Sequence, residues 1–119
     1  MPATFETVRK IGLTLPGVEE STAYGTSVLK LHGKVMAGIA INKSAEPGSL
    51  YVRVDNSDRD ELIAAAPDVY YVTDHYADNG MLIRLSRVNA DVLRDLLGMA
   101  HKFMTRYARP TKPRKRGRS

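Results

Sequence analysis

Apolar residues recur along this chain at two spacings, and the switches between them mark out its elements. Phe5, Val8, Ile11 and Leu15 fall three or four apart, as on one face of a helix. Thr4 stands where an N-cap belongs, with Glu6 near the positive helix end, and Pro16-Gly17 stops the run. Val18 to Thr26 follows neither period and reads as a loop, with Gly25 as its turn residue. The period then drops to two. Val28 to Leu31 is a strand, His32-Gly33-Lys34 a hairpin turn, and Val35 to Ile41 the returning strand. In that second strand Val35, Ala37, Ile39 and Ile41 alternate as one apolar face. Pro47-Gly48 marks a loop before a third strand, Leu50 to Val54.

A second helix is expected from Ser57, with Asp60 or Glu61 in a capping position and Leu62, Ile63, Ala65 and Ala66 on its buried side, ending at Pro67. Val69 to Thr73 and Met81 to Leu85 read as two more strands joined by a polar loop. Asn89 caps a last helix with Val92, Leu93, Leu96, Leu97, Ala100 and Phe103 as its apolar stripe. The predicted order is α-β-β-β-α-β-β-α. It implies an α+β two-layer sandwich: an antiparallel five-stranded sheet with helices on one face.

Composition adds one decisive feature. The 119-residue chain carries a net charge of +5, but the charge is segregated. Residues 1–105 hold eleven Lys and Arg against thirteen Asp and Glu. Residues 106–119 hold seven cations, Arg106, Arg109, Lys112, Arg114, Lys115, Arg116 and Arg118, and no acid. Pro110 and Pro113 oppose helix there, and nothing apolar remains to bury. The chain therefore divides into an α+β domain, residues 1–107, and a disordered basic tail, residues 108–119. The absence of cysteine excludes disulfides and thiolate metal sites. With neither a signal-peptide pattern at the start nor an apolar run long enough to span a bilayer, the expected setting is the cytoplasm, without a membrane partner.

Several stretches carry a resemblance. Leu15-Pro16-Gly17-Val18-Glu19-Glu20, Tyr24-Gly25-Thr26 and Lys30-Leu31-His32-Gly33-Lys34 are similar to the opening of the MmcQ/YjbR family. Val72-Thr73-Asp74-His75-Tyr76 and Leu82-Ile83-Arg84-Leu85 resemble its second half. The resemblance covers roughly residues 4–105. It implies a compact fold related to frataxin and to a double-wing DNA-binding domain, and DNA binding as the expected activity. The chain departs from the family where many members carry His-Met-Asn-Lys followed by Trp. Here His75-Tyr76-Ala77-Asp78 stands instead and Trp is absent, so His75 alone carries over as a candidate.

Two groups of residues could contact nucleic acid. In the tail, Arg114, Lys115, Arg116 and Arg118 surround an Arg-Gly-Arg core similar to part of an AT-hook. An extended arm of this kind neutralises phosphates, and a narrow minor groove focuses negative potential on its arginines. On the sheet, alternation places Lys30, Tyr51, Arg53 and Arg84 together opposite the helices, where cations and an aromatic could hold a backbone and a base. The alternative for each is a solvated surface, or, for the sheet face, a protein or homodimer contact.

A second reading is a non-enzymatic protein-interaction or small-ligand module, with a groove near Tyr24, His75 and Tyr76. His75 lies among Asp74, Tyr76 and Asp78, a spacing that matches no metal-ligand motif. Glu6, Glu19 and Glu20, interleaved with Arg9 and Lys10, are too few for the acidic ridge of frataxin-like iron binders. No catalytic residue, metal or cofactor is assigned from sequence, and the expectation leans away from an enzyme.

Overall fold

A computed structural model describes residues 3–107 apart from Tyr24. The elements are α1 (Phe5–Gly12), β1 (Val18–Ala23), β2 (Thr26–Leu31), β3 (Lys34–Ile39), β4 (Ser49–Arg53), α2 (Asn56–Ala65), β5 (Tyr70–Tyr71), β6 (Gly80–Arg84) and α3 (Ala90–Tyr107). Short 3-10 turns cover Asp74–Tyr76 and Leu85–Arg87. The six strands form one antiparallel sheet in the order β1-β2-β3-β4-β6-β5.

The α+β class and antiparallel sheet agree with the sequence pattern, but the sheet has six strands where five are expected. The added strand is β1, in the stretch expected to be a loop. Its sequence, Val-Glu-Glu-Ser-Thr-Ala, buries Val18 alone, so no alternating apolar face betrays it. It is an edge strand whose exposed Glu19 and Glu20 discourage pairing with another chain. The opposite edge, β5, shrinks from the expected five residues to two.

A second correction concerns β3. Leu29 pairs with Ala37 and Lys30 with Val35, so Met36 is an extra residue in β3, a β-bulge. Met36 and Ala37 consequently both enter the core, while Val35 shares the outer face with its partner Lys30. The expected single face Val35, Ala37, Ile39, Ile41 is thereby broken. Ile41 lies beyond the strand and is 52% exposed.

One face of the sheet holds the core. Leu29, Leu31, Leu50, Val52, Met81 and Ile83 meet Val8 of α1 and Leu93, Leu97, Ala100 and Met104 of α3. Gly12 lets α1 lie directly on Leu29, whose side chain occupies the place of a Gly12 Cβ. The β2–β3 turn puts His32 (φ 55°) and Gly33 (φ 80°) in the left-handed region, as a two-residue hairpin needs.

Helix α2 begins one residue before its expected start. Asp55 is the N-cap: its carboxylate accepts from the Ser57 amide at 2.8 Å and from the Ser57 hydroxyl at 2.7 Å. Those bonds hold the Asp55 carboxyl below the usual range. No residue of α2 is fully buried, and its Leu62 and Ile63 pack at the margin of the core. Arg59 explains why this helix stays in place. Its side chain is 12% exposed and donates to the carbonyls of Ala77 at 2.7 Å and Gly80 at 3.4 Å, and to Asn56 Oδ1 at 2.9 Å. Asn56 Oδ1 also accepts from the Asn79 amide at 3.0 Å. The polar loop before β6 is thus tied to the first turn of α2.

Candidate ligand cleft on the open sheet face

The other face of the sheet carries a cross-strand row. Ser21 pairs with Val28, Val28 with Gly38, Gly38 with Tyr51, Tyr51 with Leu82, and Leu82 with Tyr71. Gly38 is the low point of this row. Val28 leans over its bare backbone, and a Cβ added at Gly38 would stand 2.7 Å from Val28 Cγ1. Glycine inside a strand often marks such a close approach. Next to it, Tyr51 rises against Tyr76, their ring centroids 5.2 Å apart at 38°, and His75 meets Tyr76 edge-on at 4.7 Å. Gly80 makes room for that arrangement, since a Cβ there would press on the Tyr51 ring and the Tyr76 carbonyl.

The result is an open cleft of about 700 Å³. Its floor and one wall are aliphatic, from Val28, Gly38, Val35 and Ile41, and its other wall is Tyr51, Tyr76 and His75. Asn42 and Lys43 complete the mouth. Burial pushes the Tyr51 hydroxyl above its ordinary pKa, and the neighbouring Arg53 guanidinium pulls against that rise.

The walls are fixed by long-range hydrogen bonds. The Asn42 amide donates to Tyr76 Oη at 3.1 Å. Ser44 and Thr73 share a hydroxyl–hydroxyl bond at 2.9 Å. The Glu46 amide donates to Tyr71 Oη at 2.8 Å, and Tyr71 Oη also bonds the buried Ser49 hydroxyl at 2.6 Å. The β3–β4 loop is therefore stitched to β5 and to the segment between β5 and β6.

The residues singled out from sequence separate here. His75 and Tyr76 come together with Tyr51 in the cleft. Tyr24 lies outside the described residues, as do Arg114, Lys115, Arg116 and Arg118. Lys30, Arg53 and Arg84 share the sheet's outer face but are differently engaged. Lys30 stands opposite Glu19 across the β1–β2 pair. Arg84 binds both carboxylate oxygens of Glu46, at 2.9 and 2.7 Å, and lies over the Tyr71 ring at 4.3 Å. The Glu46 carboxyl is held below the usual range by that hydrogen-bonded arginine. Arg53 is half-buried, its Nε lacking an acceptor among the described residues. The cation–aromatic group thus contributes Tyr51 to the cleft, while Arg84 is already paired.

Sequence reasoning did not reach Val28, Val35, Gly38, Ile41, Asn42 or Lys43 as site residues. The available signal was Gly38, a glycine inside an otherwise apolar strand run. Among the described residues, no cluster of three or more His, Asp or Glu converges as a metal site, and no helix is long and apolar enough to cross a membrane.

Comparison with known proteins places the chain. The crystal structure of the Deinococcus radiodurans protein DR2400, with a DUF419 domain, is similar at a TM-score of 0.74 and 22% identity, over 91% of this chain and 83% of that one. At that identity the likeness speaks to the fold. No curated protein matches the chain. The YjbR family model matches residues 13–103, which span every strand and most of α3; the chain belongs to the YjbR family.

Proposed function

We propose that this YjbR domain is a non-catalytic binding module and that the cleft on the open sheet face receives its ligand. The observation that carries the reading is the union in one depression of an apolar floor at Val28 and Gly38 with an aromatic wall whose Tyr76 is hydrogen-bonded in place. Concave sites lined by apolar and aromatic side chains, with a few placed polar groups, are where small molecules bind. A fragment screen followed by amide chemical shifts tests it. Shift changes should gather on Gly38, Ile39, Tyr51 and Tyr76. Hits that move only residues of α1 and α3 would overturn the reading.

A second activity, nucleic-acid association in the cytoplasm, is favoured by the charge segregation. Seven cations and no acid occupy residues 106–119. In this reading the basic segment 108–119 supplies DNA affinity through Arg114, Lys115, Arg116 and Arg118, and the domain contributes little. If about five of the cations engage phosphates, the log–log salt slope is about −4 to −5. Duplex binding by the full chain and by a chain ending at Tyr107, at two salt concentrations, decides it. Unchanged affinity and slope after truncation would remove the arm from the account.

A further inference from the structure

We infer that the ligand of the cleft is a flat aromatic group carrying one negative charge, an inference that rests on the cleft being the ligand site. The flat aromatic part follows from the walls. Tyr51, Tyr76 and His75 line one side, already arranged in tilted and edge-to-face contacts, and a further ring extends that geometry. The surface at Val28, Val35 and Ile41 is aliphatic, and Thr26 alone of the β2 and β3 lining carries a hydroxyl. Gly38 keeps the floor between them low.

The charge follows from the mouth. Lys43 lines it beside Asn42, and the cleft lining contains no Asp or Glu. Glu46, three positions from Lys43, is occupied through both oxygens by Arg84 and does not offset it, and the exposed Asp74 stands next to His75 but outside the lining. Asp78 acts on Tyr51 from outside the lining, where Arg53 acts on the same ring more strongly and with opposite sign. Asn42 adds a neutral donor. Its Oδ1 accepts from the Ser44 amide at 2.8 Å and its backbone N–H goes to Tyr76, which leaves the side-chain NH2 group to a ligand. An ammonium and an amide NH2 on adjacent residues are donors a carboxylate uses, and at the exposed Lys43 such a group keeps part of its hydration.

Four probes of matched size test this on the full chain at low salt, with affinity read from cleft amide shifts. They are 2-naphthoate (flat, anionic), 2-naphthylmethanol (flat, neutral), 2-naphthylmethylammonium (flat, cationic) and decalin-2-carboxylate (anionic, not flat). 2-Naphthoate should bind most tightly. Its advantage over the alcohol should be about 1.5- to 5-fold, the range expected of one exposed ion pair. Lys43→Met, at an exposed position, should abolish that advantage and leave the alcohol unaffected. Equal binding of naphthoate, alcohol and ammonium would overturn the charge while leaving the cleft as a ligand site. Equal binding of decalin-2-carboxylate and naphthoate would overturn the flat ring. If none of the four moves the cleft amides, the site itself fails.

Discussion

Tyr76 Oη accepts a hydrogen bond from the Asn42 amide at 3.1 Å, between residues 34 positions apart. This bond fixes the ring that walls the cleft and the backbone of the loop that forms its mouth. Tyr76→Phe keeps the ring and removes the acceptor. The half-buried Asn42 N–H is left unsatisfied, and the loss should be about 0.5–1.5 kcal/mol in urea unfolding. Amide exchange at Asn42 should quicken while the core amides of β4 stay protected. Unaltered exchange at Asn42 would show that the bond does not hold the loop.

Gly38 and Val28 should behave as a coupled pair. Gly38→Ala forces Val28 to give way, and overpacking of this kind costs about 1–3 kcal/mol. Shortening Val28 to Ala first makes the space, so Gly38→Ala should cost less in that background. A double-mutant cycle by chemical denaturation measures the coupling, and simple additivity would contradict the contact.

Arg59 holds the loop before β6 through one nitrogen, Nη1, which donates to two carbonyls and to Asn56 Oδ1. Arg59→Ala should destabilise by about 1.5–3 kcal/mol, the range for hydrogen bonds involving a charged group. Arg59→Lys should recover part of the loss, because one ammonium carries three donors for those acceptors while the Nε bond to Asp60 is gone. Thermal or urea unfolding of the three proteins gives the ranking.

Alkaline pH should weaken the fold through Tyr51 and Tyr70, whose hydroxyls burial pushes above the ordinary value of 10.0. A raised folded pKa means that the native state keeps its proton when the unfolded chain has lost it. Their contribution is therefore complete below pH 10 and declines as pH climbs from there through the folded values. Unfolding free energies taken from pH 8 to pH 11 should fall at the upper end. Tyr51→Phe, which cannot ionise, should flatten part of that decline.

The core could be read along the chain because it is built from local periodicity. The stripes of α1 and α3 and the strands around Leu29, Leu50 and Ile83 each expose one apolar face, and burial of that face is enough to place them. β1 escaped because Glu19 and Glu20 interrupt any alternation. Its backbone is held by pairing with β2, a long-range interaction that leaves no side-chain period. The bulge at Met36 escaped for a related reason. A single inserted residue flips the faces beyond it, and only the register against β2 reveals where the insertion falls.

The candidate site divides in the same way. His75, Tyr76 and Tyr51 could be named in advance, since polar loops and the sheet's outer face are where binding residues accumulate. That they share one cleft with Val28, Gly38 and Lys43 was decided by the sheet order, which sets β4 between β3 and β6. The fate of Arg84 was decided by folding as well. Its partner Glu46 lies 38 positions away, and the loop that carries it is anchored through Tyr71. What the sequence determined by itself was the α+β class, the helix faces and the concentration of positive charge after residue 105, all properties of neighbours along the chain. The sixth strand, the bulge and the cleft required tertiary structure, because each depends on which distant backbones hydrogen-bond, and periodicity carries no record of that choice.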